Sequence, residues 1–356
     1  MDPFATILAY SVLTLVSTAV VWKGSEMLES SSEKLSAYYR LPPLVQGAIV
    51  TAVGSSFPEL STAVLSTLIH GEFELGVAAI VGSALFNVLM IPALAGLWAK
   101  KDLVSTRDLL YKEMQFYLIS IAVLMLVFSF AVIYHPVSRP EVAPVLGEVT
   151  RFLALFPLLM YALYVYLQYQ DTIQHQNNLL DDVDPEELGI SPRREGVVLL
   201  ASLLIILIGV EGLVMSAIEF GEVFNTPSFL WGMTIVAAAT SIPDAFVSIQ
   251  AARNGNPVTS VANVLGSNIF DLLVCIPAGV LIAGSVVINY SVGVPMMAML
   301  TIATLAVLLM MRNQMMLSQT EAWILIVFYV VFVLWMSIET FGAVDFIPNL
   351  PPPAGT

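Results

Sequence analysis

The sequence predicts an all-α polytopic membrane protein of ten transmembrane helices, built as two inverted five-helix repeats with broken helices at the midplane. Three observations lead there. Of the 356 residues, 58% are apolar and only 11% charged, against roughly 45–50% and about 25% in soluble domains, and the mean hydropathy is +0.87. Uncharged runs such as Met114 to Tyr134 and Val286 to Met311 match the ~20 residues that cross a bilayer. The third observation is an internal repeat. A net charge of −14 excludes a nucleic-acid binder, which needs a basic footprint. One cysteine, Cys275, excludes a disulfide framework or a Cys-rich metal site and reads as a small core or lipid-facing residue.

The spans follow in order: Phe4 to Trp22 and onward, Leu41 to Ile69, Leu75 to Ala99, Met114 to Tyr134 and Phe152 to Gln170, then Gly196 to Ile218, Phe229 to Ala252, Val258 to Ala283, Val286 to Met311 and Ala322 to Ile338. The first carries no cleavage-like small-residue site and runs into Lys23, so it reads as a retained helix, not a signal peptide. Residues 1–170 thus form the first repeat, 171–195 an acidic linker, 196–340 the second repeat and 341–356 a Pro-rich extended tail. Basic residues near span ends stay on the cytoplasmic side. With the N-terminus outside, Lys23, Lys34, Arg40, Lys100, Lys101, Arg107, Lys112, Arg193, Arg194, Arg253 and Arg312 fall inside, and only Arg139 and Arg151 fall outside. The expectation is an integral protein of the cell membrane with both termini extracellular and the 171–195 loop cytoplasmic. Five spans per half make equivalent helices run in opposite directions.

Shifting the chain by 185 residues lays Gly24 on Gly209, Glu26 on Glu211, Gly47 on Gly232, Ser55 on Thr240, Ser56 on Ser241, Pro58 on Pro243 and Glu59 on Asp244. After the loop at His70 the shift becomes 184, and VGSALFN (Val81 to Asn87) meets LGSNIFD (Leu265 to Asp271). Transporters built from inverted repeats hold substrate near the midplane, where helices are discontinuous.

GSSFPEL (Gly54 to Leu60) lies mid-span, as does ATSIPDA (Ala239 to Ala245). A carboxylate at the centre of a membrane helix costs about 2.5–3.5 kcal/mol, so Glu59, Asp244 and Asp271 together cost on the order of 7–10 kcal/mol. All thirteen Lys and Arg residues lie at span ends or in loops, so the counter-charge must be a mobile cation or a proton. Ser55 with Glu59, Thr240 with Asp244, Ser83 with Asn87 and Ser267 with Asp271 are i, i+4 pairs, which sets their oxygens on one helix face. Pro58 and Pro243 have no amide hydrogen to give the carbonyls of Gly54 and Ala239, and irregular backbone at this depth is tolerated where it lines a cavity. An all-oxygen donor set without His or Cys selects Ca²⁺, Na⁺ or similar ions, and Ca²⁺ takes six to eight oxygens at roughly 2.3–2.6 Å.

The paired motifs, GSSFPEL with VGSALFN and ATSIPDA with LGSNIFD, resemble the alpha-repeats of the sodium/calcium exchanger (calcium/cation antiporter) superfamily, over all ten spans. The resemblance implies the exchanger fold, alternating access by movement of spans one and six past the core, and Na⁺-driven Ca²⁺ transport. It implies ion ligands at Ser55, Ser56, Glu59, Ser83 and Asn87, at Thr240, Ser241, Asp244, Ser267 and Asp271, and at the backbone carbonyls of Ala52 and Ala237. Asp244 stands where many members have Glu, and ATSIPD followed by GSNIFD resembles the potassium-dependent branch in particular; a shorter carboxylate leaves room for water or a larger ion. K⁺ co-transport therefore stays open beside Na⁺ exchange, as does proton coupling, since desolvated carboxylates can titrate. A passive cation channel is a further alternative. An intramembrane hydrolase is disfavoured: the chain has no HExxH, no Gly-x-Gly-Asp at Asp244 or Asp271, and no Ser with a His at membrane depth. The expectation is a non-enzyme without a cofactor, whose partners are its ions and the lipid bilayer, with no obligate protein partner.

Other residues draw weaker expectations. Glu26 and Glu211 match across the repeat near span ends and face water or a gate. Asn263 reads as an interhelical hydrogen bond and is left out of the site; Gly76, Gly82, Gly232 and Gly266 read as close helix contacts. His70, His135 and His175 fall in loops, which disfavours an imidazole proton relay. The acidic run DDVDPEE (Asp181 to Glu187) reads as a solvated linker.

Overall fold

A computed structural model describes residues 3–39, 52–99, 102–107, 109–137, 145–175, 190–344 and 346. Nine helices among the described residues are long and apolar enough to cross a membrane. Span two is described only from Ala52, and the acidic run 181–187 and the tail beyond residue 346 lie outside the described residues. In the first half, α1 (Pro3–Tyr38) is followed by α2 (Ala52–Ser55) and α3 (Phe57–Leu68), which are interrupted at Ser56, then α4 (Phe73–Ala99), α5 (Met114–Tyr134) and α6 (Arg151–His175). The second half repeats this as α7 (Pro192–Phe224), α8 (Ser228–Trp231) and α9 (Ala237–Arg253), α10 (Pro257–Phe270) and α11 (Ile276–Ala283), α12 (Tyr290–Arg312) and α13 (Gln319–Thr340).

The two halves depart from strict repetition where the backbone is irregular. The first has a true break: Ser56 (φ −93°, ψ 10°) separates α2 from α3, and Pro58 sits in the first turn of α3. The second has no gap. Gly232–Val236 forms a wide π-turn that runs straight into α9, with Pro243 inside that helix, and Asp271–Cys275 forms another between α10 and α11. Widened turns at functional depth serve as a break does, because they release carbonyls from the regular ladder. Two boundaries also move. The first helix runs on to Tyr38, and α6 continues past Gln170, so His175 ends a helix instead of lying in a loop.

Burial separates a core from a periphery. Over their most apolar windows α4 is 78% buried and the α10–α11 segment 72%, whereas α1 and α6 are each 17% buried. Short strands clamp the two halves together at both ends. On one face β1 (Leu103–Val104) pairs with β5 (Met316–Leu317); on the other β2 (Pro136–Val137), β3 (Leu146–Thr150) and β4 (Ser285–Asn289) form an antiparallel sheet. The loops alternate between faces as ten spans require. Each sheet joins a loop of one repeat to a loop of the other.

The long helices α1 and α7 form an antiparallel pair outside this clamp. A Cβ added to Gly24 would stand 2.7 Å from Ile206, and one on its repeat mate Gly209 would stand 2.8 Å from Val21, so the pair packs symmetrically about its crossing. It rests on the core through an apolar patch of its own, with Val21, Leu28, Val210 and Leu213 against Leu75, Ala79, Val236 and Ala239. At the heart of the core α4 meets the α8–α9 segment. A Cβ on Gly82 would drive into the Met233 carbonyl and one on Gly232 into the Leu75 carbonyl; one on Gly76 would strike Ser66, whereas Gly266 faces open space.

This contrast gives a stability test with opposite signs. Gly82→Ala forces overpacking against backbone, costing about 1–3 kcal/mol, and should lower the melting temperature in detergent. Gly266→Ala should hold or raise it, because alanine is the better helix former by about 0.5–1 kcal/mol.

Candidate cation site

The three acids predicted at membrane depth are fully enclosed: Glu59 is 1% exposed, and Asp244 and Asp271 are 0%. Glu59 lies in the first turn of α3, Asp244 one residue beyond Pro243 in α9, and Asp271 at the start of the second-half π-turn after α10. No lysine or arginine pairs with them among the described residues.

Hydroxyls and amides interlock the two halves around these carboxylates. Ser83 Oγ on α4 donates to Glu59 Oε1 at 3.1 Å and shares a 2.6 Å hydrogen bond with Ser241 Oγ on α9. Ser55 Oγ and Ser267 Oγ are 3.0 Å apart, across 212 residues of chain. Asn87 Nδ2 donates to Asp244 Oδ2 at 3.4 Å. Thr240 Oγ1 donates back to the carbonyl of Ala237 at 3.3 Å, which leaves its lone pairs available. Ser56 is wholly buried at the break, and Ala52 opens α2. The fold therefore brings the predicted residues of both repeats into one polar layer.

Within that layer Glu59 Oε2, Asn87 Oδ1, Asp244 Oδ1, Asp271 Oδ2 and Ser56 Oγ are buried without a hydrogen-bond partner. Four of these are oxygens that can only accept. A buried unpartnered polar atom costs about 1–3 kcal/mol, more when charged, so the set calls for a cation or for protons. Among the described residues no three His, Cys, Asp or Glu side chains lie close enough to grip one metal. The acids are spread through the layer, and hydroxyl and amide oxygens must complete any coordination shell. Such a neutral-rich donor set binds a cation less tightly than an all-carboxylate one, since fewer charged ligands mean lower affinity.

The surroundings of this layer are unequal on its two sides. Towards the β1–β5 face a cavity of about 220 Å³ lies between α1 and α9, lined by Trp22, Glu26, Glu29, Phe246, Val247 and Gln250 and reaching Pro243. Phe246 is 46% exposed there, whereas its repeat mate Ser61 is 2% exposed; Glu29 is half-buried and its mate Val214 is 0%. Towards the other face those positions are packed shut, and His70 Nε2 meets Glu211 Oε1 at 2.8 Å.

Sequence reasoning missed Asn268. Its Oδ1 accepts from Asn87 Nδ2 at 3.0 Å and its Nδ2 donates to the Ala84 carbonyl at 3.1 Å, so it holds the Asn87 amide in place. The signal was present, since the 184-residue shift lays Asn268 on Ala84 and leaves one amide where the repeat has none to match it. Cys275 is a core residue whose Sγ stands 3.8 Å from Asp271 Oδ1. Asn263 makes the expected interhelical bond, donating to Ser248 Oγ at 3.1 Å. Asn268→Ala should weaken ion binding about tenfold, as loss of a supporting hydrogen bond does, while the detergent-solubilised protein stays monodisperse; ⁴⁵Ca²⁺ binding to the purified variant measures this.

Comparison with known proteins agrees with this geometry. The family model described as "Sodium/calcium exchanger protein" matches residues 9–170 and 195–338. The sodium/calcium exchanger MaX1 of Methanosarcina acetivorans is 23% identical over 90% of this chain and 96% of its own. Two solved structures share the fold. One, of the sodium-calcium exchanger NCX_Mj, has a TM-score of 0.61 at 19% identity and covers 93% of this chain and 98% of its own. The other, of the H⁺/Ca²⁺ exchanger CAX, has a TM-score of 0.67 at 17% identity and covers 94% and 89%. With the family model spanning both repeats, and both sets of motif residues gathered in one buried layer, the chain belongs to the sodium/calcium exchanger protein family.

Proposed function

We propose that the protein is a secondary antiporter that exchanges Na⁺ for Ca²⁺ by alternating access, with Ser55, Ser56, Glu59, Ser83 and Asn87 and their counterparts Thr240, Ser241, Asp244, Ser267 and Asp271 supplying ion ligands, aided by the carbonyls of Ala52 and Ala237. The observation that carries this reading is the set of buried, unpartnered acid and amide oxygens drawn from both repeats. A divalent ion or several monovalent ions can neutralise such a layer, and competition for shared oxygens couples their movements. A cation entering must replace the Ser83–Ser241 and Ser55–Ser267 hydroxyl bonds with its own coordination, so bound and unbound layers differ in packing. By the charge bias of the loops the β1–β5 face is cytoplasmic. The cavity beside Glu29 is then the inward route, and passage of α1 and α7 across the core would open the other side.

The hydroxyl-rich GSS and ATS triplets favour Na⁺ over H⁺ as the coupling ion. The fold it shares with both the sodium-calcium exchanger NCX_Mj and the H⁺/Ca²⁺ exchanger CAX keeps proton coupling as the second reading, and the short Asp244 side chain leaves space for K⁺. Proteoliposomes loaded with Na⁺ should accumulate ⁴⁵Ca²⁺ when diluted into Na⁺-free buffer. A pH gradient without Na⁺ should not drive uptake, and omitting K⁺ tests its role. Uptake that follows the pH gradient alone would transfer the coupling to protons. Glu59→Gln and Asp244→Asn should each abolish exchange; uptake that survives both would end the exchanger reading.

A further inference from the structure

The pair His70 and Glu211 joins the two moving parts of the molecule. His70 sits in the turn after α3, on the core, and Glu211 lies midway along α7, in the peripheral pair. Their 2.8 Å contact is 21% and 29% exposed at the side chains, so it is partly shielded from water. It lies on the side of the ion layer that is packed shut.

The inverted repeat supplies a second pair that is not made here. The mate of Glu211 is Glu26 on α1. The turns after α3 and α9 correspond at a shift of 184 residues, and each uses a glycine in the left-handed region, Gly71 at φ 71° and Gly255 at φ 87°. That register places Asn254 at the position of His70, with the long cation Arg253 beside it. Arg253 is exposed and has no ion pair among the described residues. Among the described residues Glu26 pairs with Lys23, at 2.7 Å, in a contact that is 66% and 57% exposed; such surface pairs contribute little. This is the side that holds the open cavity.

We propose that these are two alternating latches: His70–Glu211 holds the β2–β3–β4 face closed, and Glu26 leaves Lys23 to engage Arg253 when the β1–β5 face closes instead. Both latches join the α1–α7 pair to the core, at the turns that follow α3 and α9. Symmetry makes them exclusive, because the shift of α1 and α7 that brings Glu26 to the α9 turn withdraws Glu211 from the α3 turn. The inference rests on the alternating-access reading above, and it assigns that motion specific contacts.

The test uses the full chain in proteoliposomes with cysteine pairs at His70/Glu211 and at Glu26/Arg253, bridged by a reducible bis-methanethiosulfonate. Each bridge should form, should stop ⁴⁵Ca²⁺ exchange and should release it on reduction. In a chain carrying all four cysteines, only one of the two bridges should form per molecule. As a check independent of cysteines, Glu26→Lys and Arg253→Glu should each slow exchange about fivefold, the low end of usual coupling energies, and the double exchange Glu26→Lys/Arg253→Glu should restore it. The proposal falls if the Glu26/Arg253 bridge fails under every ion condition, if both bridges occupy one molecule, or if the charge swap gives no rescue where exchange is measurable. Exclusive bridges in a protein that exchanges no ions would retire the exchanger reading and leave the latches standing.

Discussion

Three carboxylates buried at membrane depth without a basic partner set the terms for the rest of this structure. Taking such charges out of water costs several kcal/mol each even after relaxation, and the chain supplies no lysine or arginine to offset it. Three departures from regular helix lie beside them. Ser56 interrupts span two, Pro243 sits beside Asp244, and a π-turn begins at Asp271. These irregularities would be expensive facing lipid. Here they lie inside the protein, where serines of the two repeats meet across the layer, Ser55 with Ser267 and Ser83 with Ser241.

The inverted repeat turns that constraint into a two-sided device. Each half contributes one proline-bearing helix and one GS-containing helix, and the hydroxyl bonds Ser55–Ser267 and Ser83–Ser241 cross between halves. The strands at both faces tie loops of one repeat to loops of the other, so the core behaves as one body. The α1–α7 pair is joined to it through a separate apolar patch, beside the His70–Glu211 contact. The packing around the layer is asymmetric even so, open beside Phe246 and closed beside Ser61.

Much of this was legible beforehand because the relevant signals are local. The apolar runs, the loop charges and the paired motifs all lie within short windows, and the matching depth of Glu59, Asp244 and Asp271 follows from the offset alone. Asn268 was harder to see: its role depends on which neighbour its amide reaches, and its mate in the repeat is an alanine. Glu211 and Glu26 looked alike in sequence, yet among the described residues one meets His70 across 141 residues and the other a lysine three residues away. The second midplane break was read from Pro243, whereas the backbone there stays helical and opens two to three turns earlier, over Gly232–Val236. Proline reports a missing amide, but neighbouring packing decides where the ladder yields.

From its sequence by itself the chain determined its class, its span order, its repeat and the acids that must be satisfied, because the bilayer penalises charge and unpaired backbone so heavily that few alternatives survive. Tertiary structure decided what composition and spacing leave free: which hydroxyl faces which carboxylate, which oxygens are left without a partner, and which side of the layer is open. Those outcomes depend on angstrom-scale contacts between segments about 185 residues apart, which the spacing of motifs along the chain does not specify.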